Sequence, residues 1–126
     1  MLRKDPFITG EYYHLYNRGI DKRIIFKSRK DYERFMMLLY VSNSNEQFFR
    51  LDNLINQQRK TFNQILILEK GEPLISIGVW CLMPNHFHLL IQQCEDNGIS
   101  EFMRRISDSF TRYLRTVVLI NESDLA

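Results

Sequence analysis

Two histidines one residue apart, His86 and His88, lie in the stretch MPNHFHLLI, directly after a proline-asparagine pair. The other residues that follow are apolar, and on a β-strand residues two apart point to the same face. Two neutral imidazoles separated by about 6.5–7 Å of strand can bind one divalent metal ion and leave positions for other ligands or for an anionic substrate. The spacing makes these histidines a candidate metal-binding pair, although a single histidine on a strand is more often structural.

Two other metal-ligand sets are possible in the same stretch. Cys81 and Cys94 flank the histidines, but the intervals Cys-x4-His-x-His-x5-Cys match none of the usual zinc-knuckle spacings. A His-x-His-x3-Gln pattern in the manner of cupin barrels is also present. Cupins are all-β proteins, and this chain has at least two convincing helical stretches, which makes that alternative the weaker one.

Apolar and alternating patterns predict the strands around the histidines. Glu11–Gly19 is aromatic and alternating and ends in an Asn-Arg-Gly breaker, which predicts a first strand of about six residues. Gln64–Leu68 and Leu74–Met83 are rich in β-branched or large apolar residues and are predicted to be extended. His86–Gln93 follows across the tight Pro-Asn connection, which predicts an antiparallel hairpin. On this last strand His86, His88, Leu90 and Gln92 should point one way, and Phe87, Leu89 and Ile91 should face the helices.

Two segments have the periodicity of amphipathic helices. In Ser28–Tyr40 apolar residues recur at i, i+3, i+4 and i+7, and Ser28 and Asp31 offer an N-terminal cap. Ile99–Val118 has the same periodicity after the Gly98 breaker, with Ser100 as a candidate cap. The polar region between residues 43 and 63 allows a further short helix, but its periodicity is imperfect.

The size and composition of the chain indicate one globular domain. It has 126 residues, of which 44% are hydrophobic and 25% charged, and it contains no internal repeat or linker. Its pattern predicts an α+β sandwich with helices on one face of an antiparallel sheet. No apolar run approaches the roughly 20 residues that cross a bilayer, and no secretory signal is recognisable, so we expect a cytoplasmic protein with reduced cysteines. The sequence leaves open whether it is a monomer or a homodimer.

Four motifs, in this order, resemble those of a known family. YHLYNRGIDKRIIF, DYERFMMLL, WCLMPNHFHLLI and ISEFMRRISDSFTRYL cover most of residues 12–114 and resemble the single-tyrosine HUH transposases, in particular the REP-associated branch of the IS200-like transposases. The resemblance implies one HUH domain over residues 1–126 with a ferredoxin-like core, in which Phe87 anchors the strand and His86 and His88 hold Mg²⁺ or Mn²⁺. It also implies metal-dependent cleavage and rejoining of single-stranded or hairpin DNA by attack of a tyrosine hydroxyl.

The nucleophilic tyrosine is where the sequence departs from this pattern. In that branch it lies in a Tyr-Ile-x-x-Asn-Pro-like stretch on a further helix, whereas this sequence ends at INESDLA. Tyr113 lies on the last predicted helix, but it shares the apolar stripe of Phe102, Ile106 and Phe110, where a tyrosine is usually part of the core. We therefore expect that the tyrosine-bearing segment is absent, with Tyr113 as the weaker candidate. The alternative function is a catalytically inactive DNA-binding module of the same fold.

The distribution of charge agrees with a DNA partner, although the net charge is only +2. Tyr12 and Tyr16 of the first strand can stack on unpaired bases. A basic cluster follows this strand, and a basic stripe lies along the last predicted helix; a solvated loop and a solvated helix face are the plainer explanation of each. The predicted DNA-binding residues are Arg18, Lys22, Arg23, Arg104, Arg105, Arg112 and Arg115.

Overall fold

The secondary structure combines one sheet with a layer of helices. A computed structural model of the chain describes residues 7–17, 24–46, 50–110 and 117–121. In these ranges the elements are β1 (Tyr12–Asn17), α1 (Arg29–Ser42), a π-helical turn (Asn53–Gln57), α2 (Phe62–Leu66), β2 (Ile75–Met83), β3 (His86–Gln93), α3 (Gly98–Phe110) and β4 (Val117–Asn121).

The four strands form one antiparallel sheet in the order β2-β3-β1-β4. The hairpin of β2 and β3 forms across Pro84 and Asn85, as the sequence predicts. β1 and α1 precede the hairpin and α3 and β4 follow it, so the sheet and its two long helices have the β-α-β-β-α-β order of ferredoxin-like folds. The predicted α+β sandwich is confirmed, and its two central strands are β1 and β3.

One face of the sheet is covered by the helices. Alternate residues of β1 and β3 on this face are buried, and they pack against apolar residues of α1 and α3 such as Phe35 and Phe102. The other face carries the histidines and two tyrosines of β1; we call it the histidine face, and its residues are Tyr12, His14, Tyr16, His86 and His88. The buried residues opposite are Tyr13, Leu15, Phe87, Leu89 and Ile91.

The ends of the two long helices differ in how well the sequence predicts them. α1 starts as predicted, because the Asp31 carboxylate accepts hydrogen bonds from the backbone N–H groups of Lys27 at 2.7 Å and Ser28 at 3.3 Å. α3 begins at Gly98, so Ser100 lies inside the helix and does not cap it. Gly98 has no room for a side chain, since a Cβ atom there would lie 2.4 Å from the carbonyl oxygen of Leu74.

Two predicted elements are wrong. Gln64–Leu68 was predicted to be extended, but α2 takes up most of it, because Thr61 and Gln64 form a reciprocal cap with N···O distances of 2.9 and 3.3 Å. The helix predicted over Ile99–Val118 does not extend to Val118, because residues 117–121 form β4 and pair with β1. The strand propensity of VVLIN and the hydrogen-bonding edge of β1 outweigh the helical period there.

Candidate active site on the histidine face

The backbone of β3 presents His86 and His88 to the histidine face. Burial alternates along the strand, with both histidines half-buried and Phe87 between them fully buried. The Phe87 ring packs against Phe35 of α1 with 5.0 Å between centroids. The predicted orientation of the two histidines, and of the hydrophobic residue between them, is therefore confirmed.

The turn before His86 is held by the segment that precedes α1. The carbonyl oxygen of Pro84 accepts hydrogen bonds from the backbone N–H groups of Ile25 at 2.7 Å and Phe26 at 3.0 Å. Phe26 is buried, and its ring stacks on Tyr32 of α1 with 4.7 Å between centroids. The start of the histidine strand is thus tied to the helix layer by both backbone hydrogen bonds and ring packing.

A third histidine, His14 of β1, contacts the pair and was not predicted. Its Nε2 atom lies 2.9 Å from Nδ1 of His88. In the strand register Tyr16 lies opposite His88 and His14 lies opposite Leu90, so His14 reaches His88 diagonally. The alternation of YYHLY puts His14 in phase with Tyr12 and Tyr16, but only the pairing of β1 with β3 brings it to His88. All three histidines of the chain therefore meet on one face.

Hydrogen bonds engage the same ring nitrogen in both histidines of the pair. Nδ1 of His86 lies 2.6 Å from Oδ1 of Asn85, and Nδ1 of His88 lies 2.9 Å from His14. An amide oxygen can only accept, so Nδ1 of His86 is the donor in this contact, and the neutral ring then has its lone pair on Nε2. No residue in the described ranges hydrogen-bonds to Nε2 of His86 or of His88. The centroids of these two rings are 5.1 Å apart. Metal-binding histidines use this arrangement, in which one nitrogen is held by a protein acceptor and the other binds the ion.

The electrostatics of the site favour a neutral His88. Burial lowers the pKa of His88 below its ordinary value, and charge on His14 and on His86 lowers it further. A neutral imidazole is the form that binds a metal ion. His88 is therefore held in the binding-competent charge state over a wider pH range than a free histidine.

The cysteines do not complete a closed metal site in the described structure. Cys81 lies opposite His88 in the β2–β3 register, whereas Cys94 follows the far end of β3. Among the described residues no group of three or more His, Cys, Asp or Glu side chains is placed to hold a metal ion. His86 and His88 can thus supply part of a ligand set. The described residues give no support to a closed zinc site that also uses Cys81 and Cys94.

Aromatic rings border the histidines on the same face. The ring of Tyr16 stacks on His88 with 5.9 Å between centroids and 25° between planes. Tyr12, four residues earlier on β1, is 44% exposed. Flat rings beside a candidate metal-binding pair can take up unpaired bases by stacking.

Arg104 and Arg105, the two predicted DNA-binding residues of α3, lie in different environments. Arg104 is exposed, and its guanidinium is ion-paired with Glu101 at 2.5 Å and Asp108 at 3.2 Å. The Arg105 side chain is only 9% exposed, and its Nη1 donates hydrogen bonds to the carbonyl oxygens of Ser42 at 3.1 Å and Ser44 at 2.7 Å. Arg105 therefore does not belong to the exposed stripe that the periodicity predicted, because the end of α1 binds its guanidinium inside the protein.

Six other predicted site residues lie outside the described residues. Their roles in DNA binding or catalysis stay predictions from the sequence. They are Arg18, Lys22, Arg23, Arg112, Tyr113 and Arg115.

The fold and the site define an α+β domain of ferredoxin-like topology, with paired histidines and aromatic rings on one face of its sheet. A family model described as "Transposase IS200 like" matches residues 11–123. The chain belongs to the IS200-like transposase family, which confirms the resemblance seen in its motifs. Neither the curated proteins nor the solved structures include a significant match to it.

Membership of this family supports a DNA transposase function and implies DNA as the partner. In the described ranges no helix is both long enough and apolar enough to cross a membrane.

Proposed function

We propose that this transposase cleaves and rejoins single-stranded or hairpin DNA, with Mg²⁺ or Mn²⁺ bound at His86 and His88. The observation that carries the proposal is the shared arrangement of the two rings. Each has Nδ1 in a hydrogen bond with a neighbouring side chain, and each has Nε2 without a partner among the described residues.

The histidine pair fits a metal ion that also binds the substrate. His86 and His88 would each supply one nitrogen, and the remaining ligands would be oxygens, which Mg²⁺ prefers and which a DNA phosphate provides. When bound, the ion supplies positive charge that stabilises the negative charge developing on the phosphoryl oxygens. Asn85 and His14 hold the two rings in place, so the pair needs little reorganisation to bind.

The preference for unpaired DNA is supported by the aromatic rings of β1. Tyr12 is exposed and Tyr16 stacks beside His88, so bases stacked on these rings would bring their phosphates close to the histidines. In a plain duplex the base faces are covered by their neighbours. Arg18, Lys22 and Arg23 follow β1 in the sequence and would contact the backbone of the same strand.

The cleavage step needs a tyrosine hydroxyl. Its oxygen forms a bond to phosphorus while the bond from phosphorus to the 3′ oxygen breaks, and the 3′ oxygen takes a proton. Attack of that 3′ hydroxyl on the phosphotyrosine reverses the step and rejoins the strand without ATP. Tyr113 is the candidate nucleophile of this chain.

A second candidate function is DNA binding without cleavage. It is favoured by the position of Tyr113 in the sequence, because Phe102 and Ile106, which precede it on the same apolar stripe, are buried in the core between the helices and the sheet. A tyrosine ring on the core side of the sheet could not reach a phosphate on the histidine face through close-packed side chains.

A covalent-adduct assay decides between the two functions. The chain is incubated with Mn²⁺ and a hairpin DNA labelled at its 3′ end, and a denaturing gel then separates free DNA from protein-linked DNA. A linked band that is lost in His86→Ala, His88→Ala and Tyr113→Phe supports cleavage by this chain. Binding of the hairpin in a mobility-shift assay without a linked band supports the binding function, and no binding at all contradicts both. Tyr16→Phe tests whether the tyrosine next to His88 forms the bond.

A further inference from the structure

We propose that His14 is a positioning residue for His88. It accepts a hydrogen bond from Nδ1–H of His88 and so holds that ring in the tautomer and orientation that present Nε2 to a divalent cation. The inference rests on the proposed function, in which that cation is bound at His86 and His88.

The geometry of the contact supports a directed hydrogen bond. Nε2 of His14 and Nδ1 of His88 are 2.9 Å apart, and the planes of the two rings differ by only 29°. Both side chains are half-buried, so water competes less for these nitrogens than at an exposed site. Tyr16 stacks on the same His88 ring, so the ring is restrained through one edge and one face.

The two histidines of the pair differ in what fixes their tautomer. Asn85 offers His86 an amide oxygen, which can only accept, so Nδ1 of His86 must carry the proton. His14 offers His88 an imidazole nitrogen, which can accept or donate. Only the arrangement in which His14 accepts leaves a lone pair on Nε2 of His88. In that arrangement His14 keeps its own proton on Nδ1.

His14 acts through His88 and not as a third metal ligand. Its Nε2 atom is already in the hydrogen bond to His88, and the described ranges contain no three-residue group that is placed to hold a metal ion. Substitution of His14 should therefore weaken cation binding without removing a ligand. Loss of such a supporting partner typically costs about 10–100-fold in metal affinity.

Nuclear magnetic resonance of the unmodified chain tests the hydrogen bond directly. With the histidine rings labelled with ¹⁵N and Mg²⁺ present, we expect a proton on Nδ1 of His88 and a scalar coupling across the hydrogen bond to Nε2 of His14. A His88 ring protonated on Nε2, with no such coupling, would overturn the inference. This measurement needs no variant and is independent of DNA and of activity.

Calorimetric titration with Mn²⁺ in the absence of DNA tests the consequence. His14→Leu should lower the Mn²⁺ affinity by about 10–100-fold, and His14→Gln, which keeps an amide oxygen as acceptor, should restore part of it. Val79→Ala is the control, since Val79 lies opposite Leu90 on β2 and its side chain is 61% exposed, so the Mn²⁺ affinity of this variant should equal that of the unmodified chain.

The outcomes separate this inference from the proposed function. If the unmodified chain binds Mn²⁺ and a folded His14→Leu variant binds it equally well, the role of His14 is wrong and the metal pair stands. If His14→Gln is no better than His14→Leu, His14 contributes packing alone, which also contradicts the inference. If the unmodified chain binds no Mn²⁺, the metal part of the proposed function is wrong, and the inference that rests on it is wrong as well. If His14→Leu does not fold, the coupling in the unmodified chain decides.

Discussion

The ring of Phe87 packs against the ring of Phe35, with 5.0 Å between their centroids and an angle of 45°. Both side chains are fully buried. Since Phe87 lies between His86 and His88 in the sequence, this contact fixes the histidine strand from the opposite face of the sheet. The core and the candidate metal pair are therefore joined through one residue.

Truncation of Phe87 should damage both the core and the site. Phe87→Ala removes a fully buried ring, and we expect the free energy of unfolding to fall by about 3–5 kcal/mol, with a smaller loss for Phe87→Leu. Urea unfolding measures the loss, and Mn²⁺ titration of the folded fraction should show weaker binding. Val79→Ala is the control, because Val79 is 61% exposed on β2 and should cost little. Equal losses for Phe87→Ala and Val79→Ala would contradict the anchoring role.

Removal of the two imidazoles should affect metal binding much more than the stability of the fold. His86→Ala combined with His88→Ala should abolish Mn²⁺ binding, because the paired Nε2 atoms are lost. The cost in stability should be small, since neither side chain belongs to the buried set of β3. Calorimetry and urea unfolding of the same preparation provide both values. An unchanged Mn²⁺ affinity would show that the metal ion binds elsewhere.

The sequence predicts the part of the site that lies within one strand. The i, i+2 spacing of His86 and His88 and the buried Phe87 follow from the alternation of β3 alone. His14 could not be assigned in the same way, because its contact with His88 depends on which strands pair and in which register. Local patterns do not carry that information.

The errors in the fold have the same origin. Val117 and Val118 fit a helical period, yet they pair with β1, because a free strand edge is available only in the folded sheet. Arg105 has the spacing of an exposed residue, yet the carbonyl oxygens at the end of α1 bind it. In both cases a tertiary contact outweighs the local preference that the sequence displays.

The neighbouring arginines of α3 should differ sharply in their effect on stability. Arg105→Ala leaves the carbonyl oxygens of Ser42 and Ser44 without their charged donor, and we expect a loss of roughly 1.5–3 kcal/mol. Arg104→Ala breaks only exposed ion pairs and should cost little. Urea unfolding of both variants makes the comparison. A larger loss for Arg104→Ala would contradict the assignment of Arg105 to the interior.

The stability of the protein should fall in acid partly through Glu101. Hydrogen bonding from Arg104 lowers the pKa of Glu101 most, burial opposes this, and Arg105 lowers the pKa further. Because the folded-state pKa lies below the unfolded one, the stabilisation is fully present above the ordinary glutamate value of about 4.3 and is lost as the pH falls through the folded-state pKa. Urea midpoints measured across this range should decline less steeply in Glu101→Gln. Parallel pH profiles for the two proteins would exclude this contribution.

Binding to DNA should depend on both unpaired bases and charge. We expect a hairpin with a single-stranded tail to bind more tightly than a duplex of equal length, because Tyr12 and Tyr16 need exposed base faces. Tyr12→Ala should reduce this difference, which fluorescence anisotropy with the two DNAs measures. An equal preference in Tyr12→Ala and the unmodified chain would show that Tyr12 does not recognise bases.

The salt dependence of DNA binding tests the predicted arginines that follow α3. Each phosphate contact releases counterions, so Arg112→Ala and Arg115→Ala should each flatten the plot of log affinity against log salt by up to about one unit. Arg34→Ala is the control, since Arg34 is ion-paired with Asp52 in the helix layer and is not among the predicted contacts. If the slope is the same in all three variants and in the unmodified chain, the phosphate contacts come from other residues, and Arg18, Lys22 and Arg23 after β1 are the next to test.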